Sequence, residues 1–229
     1  MKPGYCRARL PDTKVRADGV RLLRTRDLRW DDETNITYWF YDAPSRYTAS
    51  ARQMNIVRRA FEAWKSLGIS LTFEEVDRRS KADLRIAFEK TDDSWAYIGT
   101  DCLHHRGPTM NFGWSLVSDP DCALHEIGHA LGFPHEHQNP KAGIVWNEEA
   151  VYQLMKDQYE WSRAETLSNI LEKIEVDTVT GSRWDPNSIM HYSFEPGLID
   201  RPTRYRDGLT PAGGLSARDR KWVREFYPA

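Results

Sequence analysis

Residues 125 to 137 read His-Glu-Ile-Gly-His-Ala-Leu-Gly-Phe-Pro-His-Glu-His. No other stretch limits the possible folds so strongly. His125 and His129 are four apart, so a helix sets them one above the other on one face. Two imidazoles so placed can grip one metal ion. Glu126 lies beside them, placed to work on a metal-activated water rather than to hold the metal. Gly132 can turn where other residues are strained, and so ends the helix. The turn lets His135 swing back as a third ligand. Three protein ligands with no evident fourth is the catalytic pattern for zinc, since structural zinc sites are closed by four. Imidazoles also suit copper, nickel and iron. The plain alternative is a helix that carries histidines for packing.

The pattern His-Glu-x-x-His-x-x-Gly-x-x-His resembles the metzincin zinc peptidases. Phe133 before the third histidine and Glu136 after it look like the astacin family. Downstream, Ser188-Ile189-Met190-His191-Tyr192 resembles the astacin Met-turn. Weaker similarity runs from about Trp30 to Pro228. The resemblance implies an α+β, two-lobed metzincin fold. Its N-terminal lobe would hold a twisted, mixed five-stranded sheet with long helices. Its C-terminal lobe would be rich in helix and loop, with zinc in the cleft between. One catalytic Zn2+ on His125, His129 and His135 is implied, with Glu126 as general base. Tyr192 is implied as oxyanion stabiliser and Met190 as an apolar floor. Glu136 is implied to be structural, because in astacins the new N-terminus contacts this glutamate. Asn111, Phe112, Gly113 and Trp114 resemble the edge that lines the cleft. An exposed edge can hydrogen-bond an extended polypeptide by strand addition. The alternative is an ordinary edge protected by bulky residues.

With 229 residues the chain can form one large domain or two lobes around a cleft. Its net charge of −2 comes from 32 basic and 34 acidic residues, well interspersed, which argues against a nucleic-acid partner. No apolar run approaches the length of a membrane span. The start, Met-Lys-Pro-Gly-Tyr-Cys-Arg, lacks an apolar signal core. Export by another route, a removed signal and a cytoplasmic site all stay open; secretion or delivery outside the cell is expected. A monomer is expected. The cysteine count of three leaves at least one thiol unbridged within the chain. A bridge between Cys102 and Cys122 would close about twenty residues and stabilise by about 3 kcal/mol. Two buried thiols are the alternative.

Three segments are expected. Residues 1–29 are an arginine-rich N-terminal extension, read as a solvated, loosely packed lead-in; a pro-segment, and an arm whose Cys6 could block zinc as a thiolate, are the alternatives. Residues 30–138 form the N-terminal lobe with the zinc helix, and 139–229 the C-terminal lobe with the Met-turn. Ile36 to Tyr41 reads as a strand. Met54, Val57, Phe61, Trp64 and Leu67 fall three or four apart, one face of a helix from Ser50 that Gly68 ends. Leu71 to Phe73 and Leu84 to Phe88 alternate as half-buried strands. Trp95 to Gly99 and Met110 to Trp114 are further strands. His104, His105 and His137 fall outside the ligand spacing. Asp119-Pro120-Asp121 opens the zinc helix. Asn147 caps a helix through Met155. Another helix spans Ser162 to Lys173, and Thr180 to Ser182 is a loop. Ser216 and Asp219 have capping-box spacing for a last helix.

These readings converge on a zinc-dependent endopeptidase. A zinc-binding module without turnover, or a zinc hydrolase of a small amide, would share the histidines. Glu126 and Tyr192 argue against the module, which needs no base.

Overall fold

The Ser50 side chain accepts a hydrogen bond from the Gln53 amide, and this cap starts helix α1 (Ala51–Lys65). Gly68, at φ +71°, turns the chain out of it. The helix buries Val57, Ala60, Phe61 and Trp64, as their spacing requires. The computed structural model describes residues 7–9, 28–174 and 183–229. Cys6 and the loop expected at Thr180 to Ser182 lie outside them.

The face of α1 packs on a mixed sheet. Its strands are β1 (Arg7–Arg9), β2 (Asn35–Phe40), β3 (Thr72–Glu75), β4 (Leu84–Ala87), β5 (Trp95–Tyr97) and β6 (Met110–Asn111). They lie in the order β1-β5-β6-β4-β2-β3. Five of them make the expected mixed sheet, and the N-terminal segment adds the sixth. β5 runs antiparallel to β6, while β1 pairs parallel with β5, Arg7 opposite Trp95.

Two expectations need correction here. Leu84–Ala87 is buried at all four positions rather than half-buried. The alternation was misleading because Arg85 is itself buried, its guanidinium donating to the carbonyls of Gly107, Cys102 and His105. Asn111 to Trp114 is also not the edge. β6 ends at Asn111 and lies between β4 and β5. The edge of the five-stranded core is β5, and β1 covers it.

Two buried clusters divide the molecule. One contains Trp30, Phe61, Trp64, Ile86, Phe112, Ile127 and Met190. The other contains Val151, Met155, Trp161, Ile170, Tyr192 and Phe194. The second cluster is built on α3 (Glu148–Tyr159), capped by the Asn147 side chain on Ala150, and on α4 (Arg163–Thr166), opened by a Ser162–Glu165 capping box. A two-stranded sheet of β7 (Val145–Trp146) and β8 (Ile199–Arg201) adjoins it. The last helix, α5 (Ala217–Phe226), returns to the first cluster through Val223, and Tyr227 follows it there.

The regular helix expected through Lys173 stops early. After α4 the chain widens into a π turn over Leu167–Leu171. Side chains from the histidine segment meet carbonyls of this region: His137 Nε2 bonds Asn169 O, and Gln138 Nε2 donates to Ser168 O and Glu172 O. No disulfide joins Cys102 to Cys122; both are buried free thiols, and burial pushes Cys102 up to about 12. Among the described residues no helix is long and apolar enough to cross a membrane.

Candidate active site

Helix α2 (Asp121–Ala130) carries the first half of the histidine motif through the middle of the molecule. It is held on three sides. Trp64 Nε1 donates to Leu124 O, Trp30 Nε1 to Ala130 O, and Tyr227 Oη to Leu131 O. At the helix end the Trp30 indole and the Tyr227 phenol satisfy carbonyls that have no intrahelical partner, while the Trp64 indole adds a second donor to a carbonyl within the helix. Gly132, at φ +94°, then reverses the chain and brings His135 back.

The three histidines meet at one point. His125 Nε2 is 3.1 Å from His129 Nε2, which is 3.1 Å from His135 Nε2. One ligand atom from each lies within 4.8 Å of the others. A tetrahedral metal with bonds of about 2.0–2.1 Å sets its nitrogens roughly 3.3 Å apart. The tautomers also fit a cation. His125 Nδ1 donates to Ile189 O at 2.6 Å, and His129 Nδ1 to Phe133 O at 2.8 Å. Each Nε2 is therefore left with its lone pair, and two lone pairs at 3.1 Å repel unless a cation sits between them. Burial also pushes His125 down to about 4 and His129 and His135 well below the usual range, so the rings stay neutral, as ligation requires.

Glu126 follows the first ligand and is fully buried. Tyr192 packs over the histidines, its ring 4.3 Å from that of His135 and 5.9 Å from that of His125. A cleft of about 480 Å³ opens beside His125 and Glu126, with Trp114 and Tyr192 in its wall.

The family model for Astacin, a family of peptidases, matches residues 23–204. The chain belongs to the astacin family. It superposes on the solved structure of myroilysin with a TM-score of 0.80 at 27% identity, covering 90% of this chain and 98% of that one. Karilysin of Tannerella forsythia is 30% identical over 139 residues, 52% of this chain and 28% of its own. The zinc metalloproteinase dpy-31 of Caenorhabditis elegans is 28% identical over 176 residues, 72% of this chain and 25% of its own. The chain thus spans less than a third of the length of these two curated relatives.

In this astacin the Met-turn is fastened from two directions. Glu136 N donates to Met190 O, and Ser188 Oγ and Ile189 N both donate to the Asp219 carboxylate. Asp219 also accepts from Ser216 N as the capping-box partner of α5. One carboxylate therefore fixes both the start of α5 and the loop beneath the histidines. The capping spacing was legible in the sequence; the second task was not, because it joins residues about thirty apart. Glu136 Oε1 accepts from Asp185 N and Asn139 Nδ2, and burial pushes its carboxyl up to about 7.

The sequence places His137 outside the ligand spacing and assigns no task to His191. His137 is buried and stacks on Tyr192 at 4.6 Å. His191 is buried, with Nδ1 donating to Tyr192 O. His105 stacks on Tyr97 at 3.7 Å, away from the three ligands, and His104 is exposed. Of the residues expected to line an edge, Asn111 and Phe112 are buried. The Asn111 side chain donates to Glu89 O and Asp93 O and accepts from Glu89 N. Trp114 alone of the four is in the cleft wall.

Met190 rises under Gly128. A Cβ at Gly128 would lie 2.3 Å from Met190 Sδ and 3.5 Å from Trp64 Cζ2. Alanine favours a helix over glycine by about 1 kcal/mol. Overpacking a core costs about 1–3 kcal/mol. Gly128→Ala is expected to lower the melting temperature despite the better helix former. In a Met190→Ala background the same change should be neutral or stabilising. A double-mutant cycle by thermal denaturation checks this, and additive effects would remove Met190 as the cause.

Proposed function

We propose that the protein is a zinc-dependent endopeptidase, and the convergence of three Nε2 atoms beside Glu126 is the observation that carries the reading. His125, His129 and His135 would hold the ion. Bound there, zinc supplies a Lewis acid for amide hydrolysis at neutral pH. Glu126 accepts a proton from the attacking water and returns it to the leaving amine. Its burial keeps bulk water from competing for that proton. The Tyr192 hydroxyl donates to the developing oxyanion of the cleaved carbonyl. Met190 supports the ligands from below without binding the ion. The natural setting is outside the cell, with a polypeptide as substrate and a monomer as the working unit.

The substrate's place follows from the sheet. The β5 edge offers a row of backbone groups to an extended peptide. It flanks the site, because β5 packs against α2, the helix that carries the first two ligands. Arg7–Arg9 already uses that row. The segment that bears Arg7–Arg9 therefore acts as a pro-segment that competes with substrate, and the two cannot occupy β5 together.

The test is hydrolysis of labelled casein by the full chain and by a chain lacking residues 1–27, each with and without chelator. Cleavage that chelator stops and zinc restores is expected, faster in the shortened chain. Metal-loaded protein that binds zinc yet cuts nothing in either form would favour the binding module. Cleavage confined to small amides would favour the third reading.

A further inference from the structure

Resting on the peptidase reading above, we infer that the cleft beside His125 and Glu126 is a specificity pocket for a cationic side chain, arginine or lysine, next to the bond that is cut. The cleft holds about 480 Å³, room for a long side chain, and it is continuous with the catalytic residues. Its wall contains Asp119 and Asp121 and, among the described residues, no lysine or arginine. Both carboxylates are fixed in place. Asp119 Oδ2 accepts from Trp114 Nε1 at 3.0 Å, and Asp121 Oδ2 accepts from Gly214 N at 2.9 Å. Each is held by one oxygen, and the other oxygen has no partner among the described residues.

A third acceptor stands apart from these two. His191 is in the same wall and is 5% exposed. Its Nδ1 donates to the Tyr192 carbonyl, so Nε2 is the acceptor nitrogen, and this atom is buried without a hydrogen-bond partner among the described residues. An unmet acceptor in a buried wall calls for a donor. Two half-buried carboxylates call for positive charge, and water screens them less than at an open surface. The Trp114 ring adds an aromatic flank suited to a guanidinium or ammonium. A carboxylate side chain entering beside Asp119 and Asp121 would meet like charge, with no lysine or arginine among the described residues of the wall.

The experiment uses the zinc-loaded protein and matched peptides that differ only at the two residues flanking the cut bond. These carry arginine, lysine, glutamine or glutamate. The arginine and lysine peptides are expected to exceed the glutamine peptide in kcat/KM by roughly tenfold or more at low salt, with glutamate slowest. The ratio should shrink as salt rises. In Asp119→Asn and Asp121→Asn the arginine-to-glutamine ratio should fall toward one. That ratio is internal to each protein, so a partial loss of folding does not alter its meaning. Equal rates for arginine and glutamine in the unaltered protein, or a preference for glutamate, would overturn the pocket assignment while leaving the peptidase intact. Failure to cut any peptide would overturn the peptidase reading and this inference with it.

Discussion

Glu126→Ala should yield a folded, zinc-loaded protein that cleaves peptide roughly 100- to 10,000-fold more slowly, the range that a lost general base produces. Retention of the fold follows from position. Glu126 lies within α2, and alanine is the better helix former there. Retention of metal follows because the ligand nitrogens belong to His125, His129 and His135, two of them oriented by the carbonyls of Ile189 and Phe133. Glu126→Gln keeps the shape and removes the base, so it should lose about as much. Zinc content by atomic absorption and kcat/KM on a labelled peptide check both points. A metal-loaded Glu126→Ala that turns over normally would end the base assignment. A variant without zinc would instead place Glu126 among the determinants of metal binding.

The parts of this fold that local chemistry specifies could be read from the chain. Ser50, Asn147, Ser162 and Ser216 each cap the helix that their position announces, because a cap joins residues two or three apart. The histidine spacing is equally local, with one helix turn and one glycine setting two of its three geometric relations. What could not be read depends on distant neighbours. The family resemblance put Asn111 to Trp114 at the edge, yet β4 and β5 enclose β6, and no residue in that stretch encodes the strand order. Arg85 made β4 look half-exposed, because the carbonyls that receive its guanidinium come from a loop about twenty residues away. Asp219 reads as a cap and nothing more until the fold brings Ser188 and Ile189 to its carboxylate.

For Tyr192→Phe a fall in kcat of roughly 100- to 1,000-fold is expected, the usual cost of removing one oxyanion donor. Zinc content should hardly change. The ring is 5% exposed and packs 4.3 Å from His135 and 4.6 Å from His137, contacts that a phenyl ring of the same size keeps. The substitution therefore removes the hydroxyl and little else. A donor that acts only when charge develops lowers kcat and leaves KM nearly unchanged, whereas a donor to bound substrate would raise KM. Thermal denaturation separates both from a packing role, since lost packing would lower the melting temperature along with the rate. An unchanged kcat would take Tyr192 out of the reaction and leave it as a ring that packs against His135 and stacks on His137.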